Sequence, residues 1–242
     1  MQVRINRYLS QCGAMSRRAA DDAITAGRVS VNGHTASLGE SINPQADDIR
    51  LDGKPLHQNR KYYLAFYKPK YMITTMKDPE GRECVKDIIP EKYNGVFPVG
   101  RLDFDAEGLL ILTNDGILAN AIHHPTHNMG KVYIVGLKPE APAAALRKMS
   151  EGIEIEGMIT RQALVQRLND EKGITTVRIT LKQGLKNQIK KMAEAVGLSV
   201  VSIRRIAIGP VSLGKMKPRE IRELGDLEVR ALLNIQKKHK LT

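Results

Sequence analysis

A four-residue apolar run, "LLIL" at residues 109–112, most constrains how this chain can fold. A short run that is apolar at every position is typical of a strand buried on both faces. The preceding segment, "VGRLDFDAEG", places Arg101 and Asp103 on the loop that leads into this strand. A carboxylate there can be partly desolvated and still reachable, as a nucleophile or base must be. By spacing alone, a salt bridge that stitches the loop is the commoner interpretation.

The charge of the chain indicates an acidic partner. Its 242 residues are 42% hydrophobic, enough for a substantial core, and its formal net charge is +12. From Lys182 to Arg222 there are ten Lys or Arg against two acids, a net of +8. Since this stretch has no long basic amphipathic helix with flanking Trp or Phe, we expect nucleic acid and not a membrane.

Targeting and metal signals are weak. No apolar run approaches about 18 residues and the N-terminus lacks the apolar core of a signal peptide, so we expect a soluble, cytoplasmic protein. Cys12 and Cys84 lack CxxC spacing and are expected to be reduced, packed thiols. His123 and His127 have the spacing of a zinc helix, but Pro125 breaks that helix, so we predict no metal site.

The first 58 residues predict a small helix, helix, hairpin domain. The first helix stops at Gly13, Ser16 caps the second, which closes at Gly27, and Asn32-Gly33 turns a hairpin. The expected buried positions of the two helices are Ile5, Tyr8, Leu9, Cys12, Ala19, Ala20, Ala23 and Ile24.

The stretch "RINRYLSQCGAMSRRAADDAITAGRVSVNG" resembles the small RNA-binding domain of ribosomal protein S-four, the alpha-L motif. The resemblance implies that five arginines lean toward RNA phosphates, although solvated helix faces are the bland alternative. These are Arg4, Arg7, Arg17, Arg18 and Arg28. We therefore predict an RNA-binding domain at 1–58, a larger domain at 59–236 after the polar connector "HQNRK", and a basic tail at 237–242.

The larger domain is predicted to be α+β, because strands and helices mix without regular alternation. In "KVYIV", strand alternation places Lys131 and Tyr133 on one face. In "NQIKKMAEAVG", Asn187 is the expected N-cap of a helix whose first turn holds Lys190 and Lys191. Cations are disfavoured at that end of a helix, so an anion should lie near them, with Asp103 and RNA phosphates as the candidates.

Four blocks in order identify a wider resemblance. "GRLD" followed by "GLLILTNDG" resembles the central motif of pseudouridine synthases of the RsuA and RluB type. Three further blocks follow the same family's order, and together the four cover nearly the whole chain. They are "YKPKYMITTMKDPEGRECVKDIIP", "HPTHNMGKVYIVGL" and "IRRIAIGPVSLGKMKPREIREL".

The resemblance implies roles for individual residues. Asp103 is the catalytic aspartate, Arg101 fills the space left by a flipped uridine, and Tyr133 stacks on the flipped base. Lys190, with Lys191 beside it, is the partner of the aspartate or of a phosphate, where the family usually has arginine. Ala106, Glu107 and Val132 also replace residues that commonly carry hydroxyl groups.

The implied activity is isomerisation of one uridine in ribosomal RNA, free or in a precursor particle, to pseudouridine. Asp103 can act covalently or by proton transfer, and the sequence does not choose. Since base and sugar both stay in the site, no cofactor is expected, and a monomer is the default. The alternatives are a catalytically silent RNA-binding or ribosome-assembly protein on the same fold and, more weakly, a glycosidase or nucleosidase.

Overall fold

A computed structural model describes residues 2–123 and 128–238 of the chain. The chain divides into two compact units. The first runs to Tyr62 and includes Pro90–Phe97 and Thr113–Gly116. The second comprises Tyr63–Ile89, Pro98–Leu112 and the residues from Ile117 onward. The domain boundaries proposed from the sequence, including the tail, stay predictions.

The first unit has the predicted helix, helix, hairpin order. Helices α1 (Ile5–Gln11) and α2 (Arg17–Thr25) precede a hairpin in which Val31 pairs with His34. Ser16 caps α2, because its Oγ accepts a hydrogen bond from the Ala19 backbone amide at 3.2 Å. The strands are β1 (Val3–Arg4), β2 (Val29–Val31), β3 (His34–Thr35), β4 (Ser41–Ile42), β5 (Ile49–Leu51) and β6 (Lys54–Pro55).

The predicted core of this unit is confirmed except at Ala19, which is exposed. Ala19 lies in the first turn of α2, one position away from the buried Ala20. The hairpin turn is also as predicted, since Asn32 and Gly33 both have positive φ, at 49° and 87°. Cys12 and Cys84 are buried free thiols.

The rest of the chain adds eleven strands and five helices, with a short 3₁₀ turn at Glu91–Tyr93. The strands are β7 (Tyr63–Lys68), β8 (Phe97–Val99), β9 (Glu107–Thr113), β10 (Lys131–Lys138), β11 (Glu154–Ile155), β12 (Met158–Ile159), β13 (Leu164–Glu171), β14 (Ile174–Leu181), β15 (Ser199–Ile208), β16 (Val211–Ser212) and β17 (Ile221–Glu223). The helices are α3 (Val85–Ile88), α4 (Gly116–His123), α5 (Ala143–Glu151), α6 (Gln188–Glu194) and α7 (Asp226–Lys238).

Nine strands form one large mixed sheet in the order β13-β14-β10-β15-β9-β7-β17, with β16 on β15 and β8 on β9. The pairs from β13 to β15 are antiparallel, as is β7 with β17. Only a short parallel ladder joins β9 to β15, where Gly108 pairs with Arg205. This arrangement, a mixed and mainly antiparallel sheet with helices, confirms the predicted α+β class.

Strand β9 is buried on both faces, as its apolar run predicts. Leu109, Leu110, Ile111 and Leu112 all have no exposed surface. Each such side chain contributes about 1.5–3 kcal/mol by leaving water. The strand therefore fixes the residues that immediately precede it. In the part of the chain that the structure describes, no helix is both long and apolar enough to cross a membrane.

Gly108 allows β9 and β15 to approach closely. Its φ is +112°, and a Cβ atom there would lie 2.7 Å from the Arg205 backbone nitrogen and closer still to its carbonyl oxygen. A side chain would therefore force the two strands apart. This glycine lets the strand that follows Asp103 pack directly against Arg205.

Candidate active site

The loop that carries Asp103 is fixed through its backbone. Thr74 is buried, and its Oγ1 donates to the Leu102 carbonyl at 2.8 Å and lies 3.3 Å from the Leu102 amide, which donates to it. The Ala106 amide donates to the Asp103 carbonyl at 3.2 Å, which closes a turn. The position of the Asp103 backbone is thus set by bonds on both sides of it.

Arg205 fixes the same loop from β15. Its side chain is only 2% exposed. Nε donates to the Leu109 carbonyl at 2.7 Å, and Nη1 donates to the Arg101 carbonyl at 3.3 Å. One guanidinium group therefore bonds residues before and after Asp103, because its N–H donors point in different directions within one rigid plane.

Lys68 at the end of β7 is a fully buried cation beneath the loop. Its Nζ donates to the carbonyls of Ala106, at 2.8 Å, and Pro69, at 2.9 Å. Burial lowers the pKa of Lys68 to about 8, and the nearby carboxylates of Asp103 and Asp105 oppose that change. Lys68 therefore contributes positive charge close to both acids.

Asp103 itself is exposed, between the buried Leu102 and the exposed Phe104. With the Asn187 side-chain amide oriented to donate, its nitrogen lies 3.0 Å from Asp103 Oδ2 and 3.3 Å from Oδ1. Asn187 occupies the predicted N-cap position of α6, but its backbone is left-handed, with φ 55°, and its side chain makes no cap hydrogen bond. Its amide thus faces the aspartate and leaves the helix end uncapped.

In the structure neither Lys190 nor Lys191 is paired with Asp103, and their alternative role as phosphate partners stays a prediction. Lys190 Nζ lies 2.7 Å from each carboxylate oxygen of Asp105, and Lys191 Nζ lies 2.7 Å from Glu156 Oε1. The reason is that Asp105 is a second acid in the same turn and accepts the lysine of the first helical turn. The Lys190 hydrogen bond lowers the pKa of Asp105. We expected an anion near each lysine, but the candidates were Asp103 and RNA phosphates and not Asp105 and Glu156.

Lys131 and Tyr133 share one face of β10, as predicted. In the β10 register, Lys131 lies opposite Leu181 and Tyr133 opposite Ile179, and both partners belong to one core cluster. Tyr133 packs on that cluster, which also contains Leu102 and Ala106 from the Asp103 loop. Burial, with a contribution from Arg205, lowers the pKa of Lys131. The Tyr133 side chain therefore lies on the same side of the sheet as this loop.

The arginines that were predicted to contact RNA differ in their exposure and in the bonds that their side chains form. Arg101 and Arg18 are exposed, and Arg7 is half-buried. Arg28 is engaged in an ion pair with Asp52, with Nε 2.9 Å from Oδ1. Two more arginines bond within the first unit: Arg4 donates to the Gly39 carbonyl, and Arg17 Nη2 lies 3.5 Å from Asn6 Oδ1.

No group of three or more His, Cys, Asp or Glu side chains within residues 2–123 and 128–238 could hold a metal ion. His127, named in the sequence analysis, lies outside the described residues.

Comparison with known proteins decides the family. Residues 62–195 match the model of the family described as RNA pseudouridylate synthase. A protein of Aquifex aeolicus named as an RNA pseudouridine synthase is 42% identical over 234 residues, which cover 96% of this chain and 94% of that one. The chain belongs to the RNA pseudouridylate synthase family.

Two further proteins are similar to this chain over nearly its whole length. A Bacillus subtilis protein named ribosomal large subunit pseudouridine synthase B is 32% identical, with 95% of each chain covered. A crystal structure of a pseudouridylate synthase superposes with a TM-score of 0.70 at 27% identity and covers 95% of this chain and 99% of that one. The resemblance to the RsuA and RluB type is confirmed, and the protein is an RNA pseudouridine synthase. Kinship of its first unit to ribosomal protein S-four stays a prediction.

The sequence patterns did not predict that four residues of this synthase site contact the Asp103 loop. Lys68, Thr74, Asn187 and Arg205 all contact the Asp103 loop or Asp103 itself. Lys68 could have been found from the sequence. It ends the apolar strand "YLAFYK", and a charge buried there needs hydrogen-bond partners. Asn187 was recognised only as a helix cap.

The substitution at Glu107 does not add a free acid next to Asp103. The Glu107 carboxylate accepts a hydrogen bond from the Tyr67 hydroxyl at 3.2 Å. Burial first, and then Glu107, raises the pKa of Tyr67. Ala106 is buried in the core cluster that Tyr133 packs against. Glu107 is therefore engaged by Tyr67, and Ala106 is part of the core, although both differ from the family pattern.

Proposed function

We propose that this synthase isomerises a uridine of ribosomal RNA and that Asp103 is its catalytic residue. The observation that carries the proposal is an exposed carboxylate on a loop whose backbone is bonded by Thr74 and Arg205. A catalytic group must be both reachable and rigidly placed, since misplacement by about 1 Å can cost about a hundredfold in rate. The ribosomal target is suggested by the name of the Bacillus subtilis relative.

The reaction breaks the bond from uracil N1 to the sugar C1′ and forms a bond from C5 to the same C1′. The C5 proton is lost and N1 gains a proton, so atoms balance without a redox partner. Asp103 acts either by adding to C1′ or by moving a proton and stabilising positive charge there. We propose that no cofactor takes part, because base and sugar both remain in the site.

Base flipping supplies the target to Asp103 in this proposal. Atoms C1′ and C5 are inaccessible in a stacked helix, so the nucleotide must leave the stack. Tyr133 stacks on the flipped uracil, and the exposed Arg101 fills the vacated space in the RNA. Lys131, on the same strand face as Tyr133, contacts the RNA backbone.

The first unit contributes RNA phosphate contacts. Arg7 and Arg18 bind phosphates directly in this proposal. The other three arginines would first release their surface bonds, Arg4 to the Gly39 carbonyl, Arg17 to Asn6 and Arg28 to Asp52. The Arg28 pair with Asp52 is exposed to solvent, so a phosphate can compete with the carboxylate for the guanidinium group.

The experiment maps pseudouridines by carbodiimide adducts in ribosomal RNA from cells that lack the protein or carry the wild type or Asp103→Asn. One site should disappear in the deletion and return only with the wild type. If no site changes, or if Asp103→Asn restores it, the RNA-binding or ribosome-assembly role becomes the better account.

A further inference from the structure

Two aromatic side chains next to Asp103 are exposed, and the mechanism above does not use them. The chain has seven tyrosines, three phenylalanines and no tryptophan, and all ten rings lie within the described residues. Only Tyr71 and Phe104 are exposed, by 67% and 51%. They contact each other edge to face, with ring centroids 5.5 Å apart at 61°. The two most exposed aromatic side chains of the protein therefore lie at a single place.

The backbone connects this pair to the Asp103 loop. Phe104 directly follows Asp103, and the Tyr71 amide donates to the Phe104 carbonyl at 2.6 Å. The next loop residue, Asp105, pairs with Lys190. This backbone link and the position of Phe104 in the chain place the two rings on the loop that carries Asp103.

The conformation of Tyr71 is unfavourable for a bulky residue, and its ring adds little to the fold. Its φ is +63°, in the left-handed region where a bulky side chain is strained and glycine is not. Its side chain is also mostly exposed, so it contributes little to the core. Strain at an exposed position beside a catalytic residue suggests a contact with a ligand.

We propose that Tyr71 and Phe104 form a stacking subsite for a nucleobase adjacent to the isomerised uridine. Flipping one nucleotide unstacks its neighbours, and an exposed aromatic face can replace the lost stacking. Every base has a flat π face, so the subsite tolerates different bases and favours unpaired RNA. The net charge of +12 supports RNA as the occupant over an apolar protein segment. The inference rests on the proposed function, because it needs RNA at Asp103.

The test uses two single-stranded RNA nonamers with one central uridine and with 2-aminopurine on its 5′ or its 3′ side. Stacking on an aromatic ring quenches 2-aminopurine fluorescence, and a titration also gives the Kd. The key variant combines Tyr71→Gly and Phe104→Leu, since glycine fits the left-handed backbone and both side chains are exposed. Phe104→Tyr retains the ring. Leu164→Ala, at a 57% exposed position on β13, is the matched control.

We expect the wild type, Phe104→Tyr and Leu164→Ala to quench one of the two probes. The double variant should lose that quenching and raise the Kd about tenfold or more, with its Tm unchanged. If it quenches like the wild type, or if the wild type quenches neither probe, the inference is overturned, and a protein segment becomes the better occupant.

Tritium release from C5-labelled ribosomal RNA transcripts separates this outcome from the proposed function. Release without quenching leaves the proposed function standing and removes the subsite. Quenching without release keeps the stacking contact and removes the proposed reaction.

Discussion

Lys190 at the start of α6 pairs with Asp105, two residues beyond Asp103, at 2.7 Å from each carboxylate oxygen. The loop thus carries two acids with different partners, a lysine on Asp105 and the Asn187 amide on Asp103. The N-terminal end of α6 supplies both partners, Asn187 at the N-cap position and Lys190 in the first turn. Its placement therefore sets the geometry of both carboxylates at once.

The Lys190 pair predicts coupled effects on rate. Lys190→Met and Asp105→Asn should each lower kcat several-fold, because each frees one end of the loop turn, and the double variant should be little worse than either. The free energy of unfolding should change by less than about 1 kcal/mol, since the carboxylate is about half exposed. A double-mutant cycle on single-turnover rates measures the coupling. Independent, multiplying effects would contradict it.

Asn187 is predicted to position Asp103. Asn187→Gly removes the amide and keeps the left-handed backbone. A hydrogen bond to a charged group is worth about 1.5–3 kcal/mol, so kcat should fall roughly tenfold or more while KM stays unchanged. Lys172→Gly, also left-handed at φ 52° and exposed, controls for the added backbone freedom. A purely structural Asn187 would instead lower Tm and leave kcat intact.

Lys68 predicts a specific pH dependence of stability. Its pKa of about 8 in the folded protein lies below its ordinary 10.5, so the unfolded chain binds more protons between these values. Stability should therefore rise with pH from 8 to 10.5, by up to about 3 kcal/mol. Lys68→Met should reduce this rise, and it should lower stability because the carbonyls of Pro69 and Ala106 lose their hydrogen-bond donor. Urea unfolding of both proteins across this range gives the difference, and parallel pH curves would contradict it.

Gly108→Ala should destabilise the protein severely, because a Cβ atom collides with the Arg205 backbone. Strain at positive φ alone costs about 1–3 kcal/mol, and the collision adds to it. Gly173→Ala, at φ +72° with nothing within 4 Å, provides the strain without the collision. Denaturant unfolding of the two variants should show a much larger loss at Gly108. Equal losses would mean that β9 and β15 can separate without cost.

Local patterns were sufficient to predict several elements of each unit. The run at 109–112 predicts the buried strand β9, and Ser16 and Asn32-Gly33 predict a cap and a turn that depend only on neighbouring residues. The face shared by Lys131 and Tyr133 follows from strand alternation alone.

Contacts between distant segments could not be predicted in this way. Thr74 bonds a loop 28 residues away and Arg205 bonds one 104 residues away, and no periodicity encodes such pairs. The choice of Asp105 over Asp103 as the partner of Lys190 depends on side-chain reach from α6. Ala19 was placed on the wrong face because a neighbouring alanine at the start of a helix looks the same in sequence.

The most direct measurement is tritium release from C5-labelled ribosomal RNA transcripts by the wild type and by Asp103→Asn. The account predicts release from a single site by the wild type and a loss of at least about a thousandfold in Asp103→Asn, with RNA affinity and Tm unchanged. Comparable release by Asp103→Asn would contradict the assignment of Asp103 as the catalytic residue.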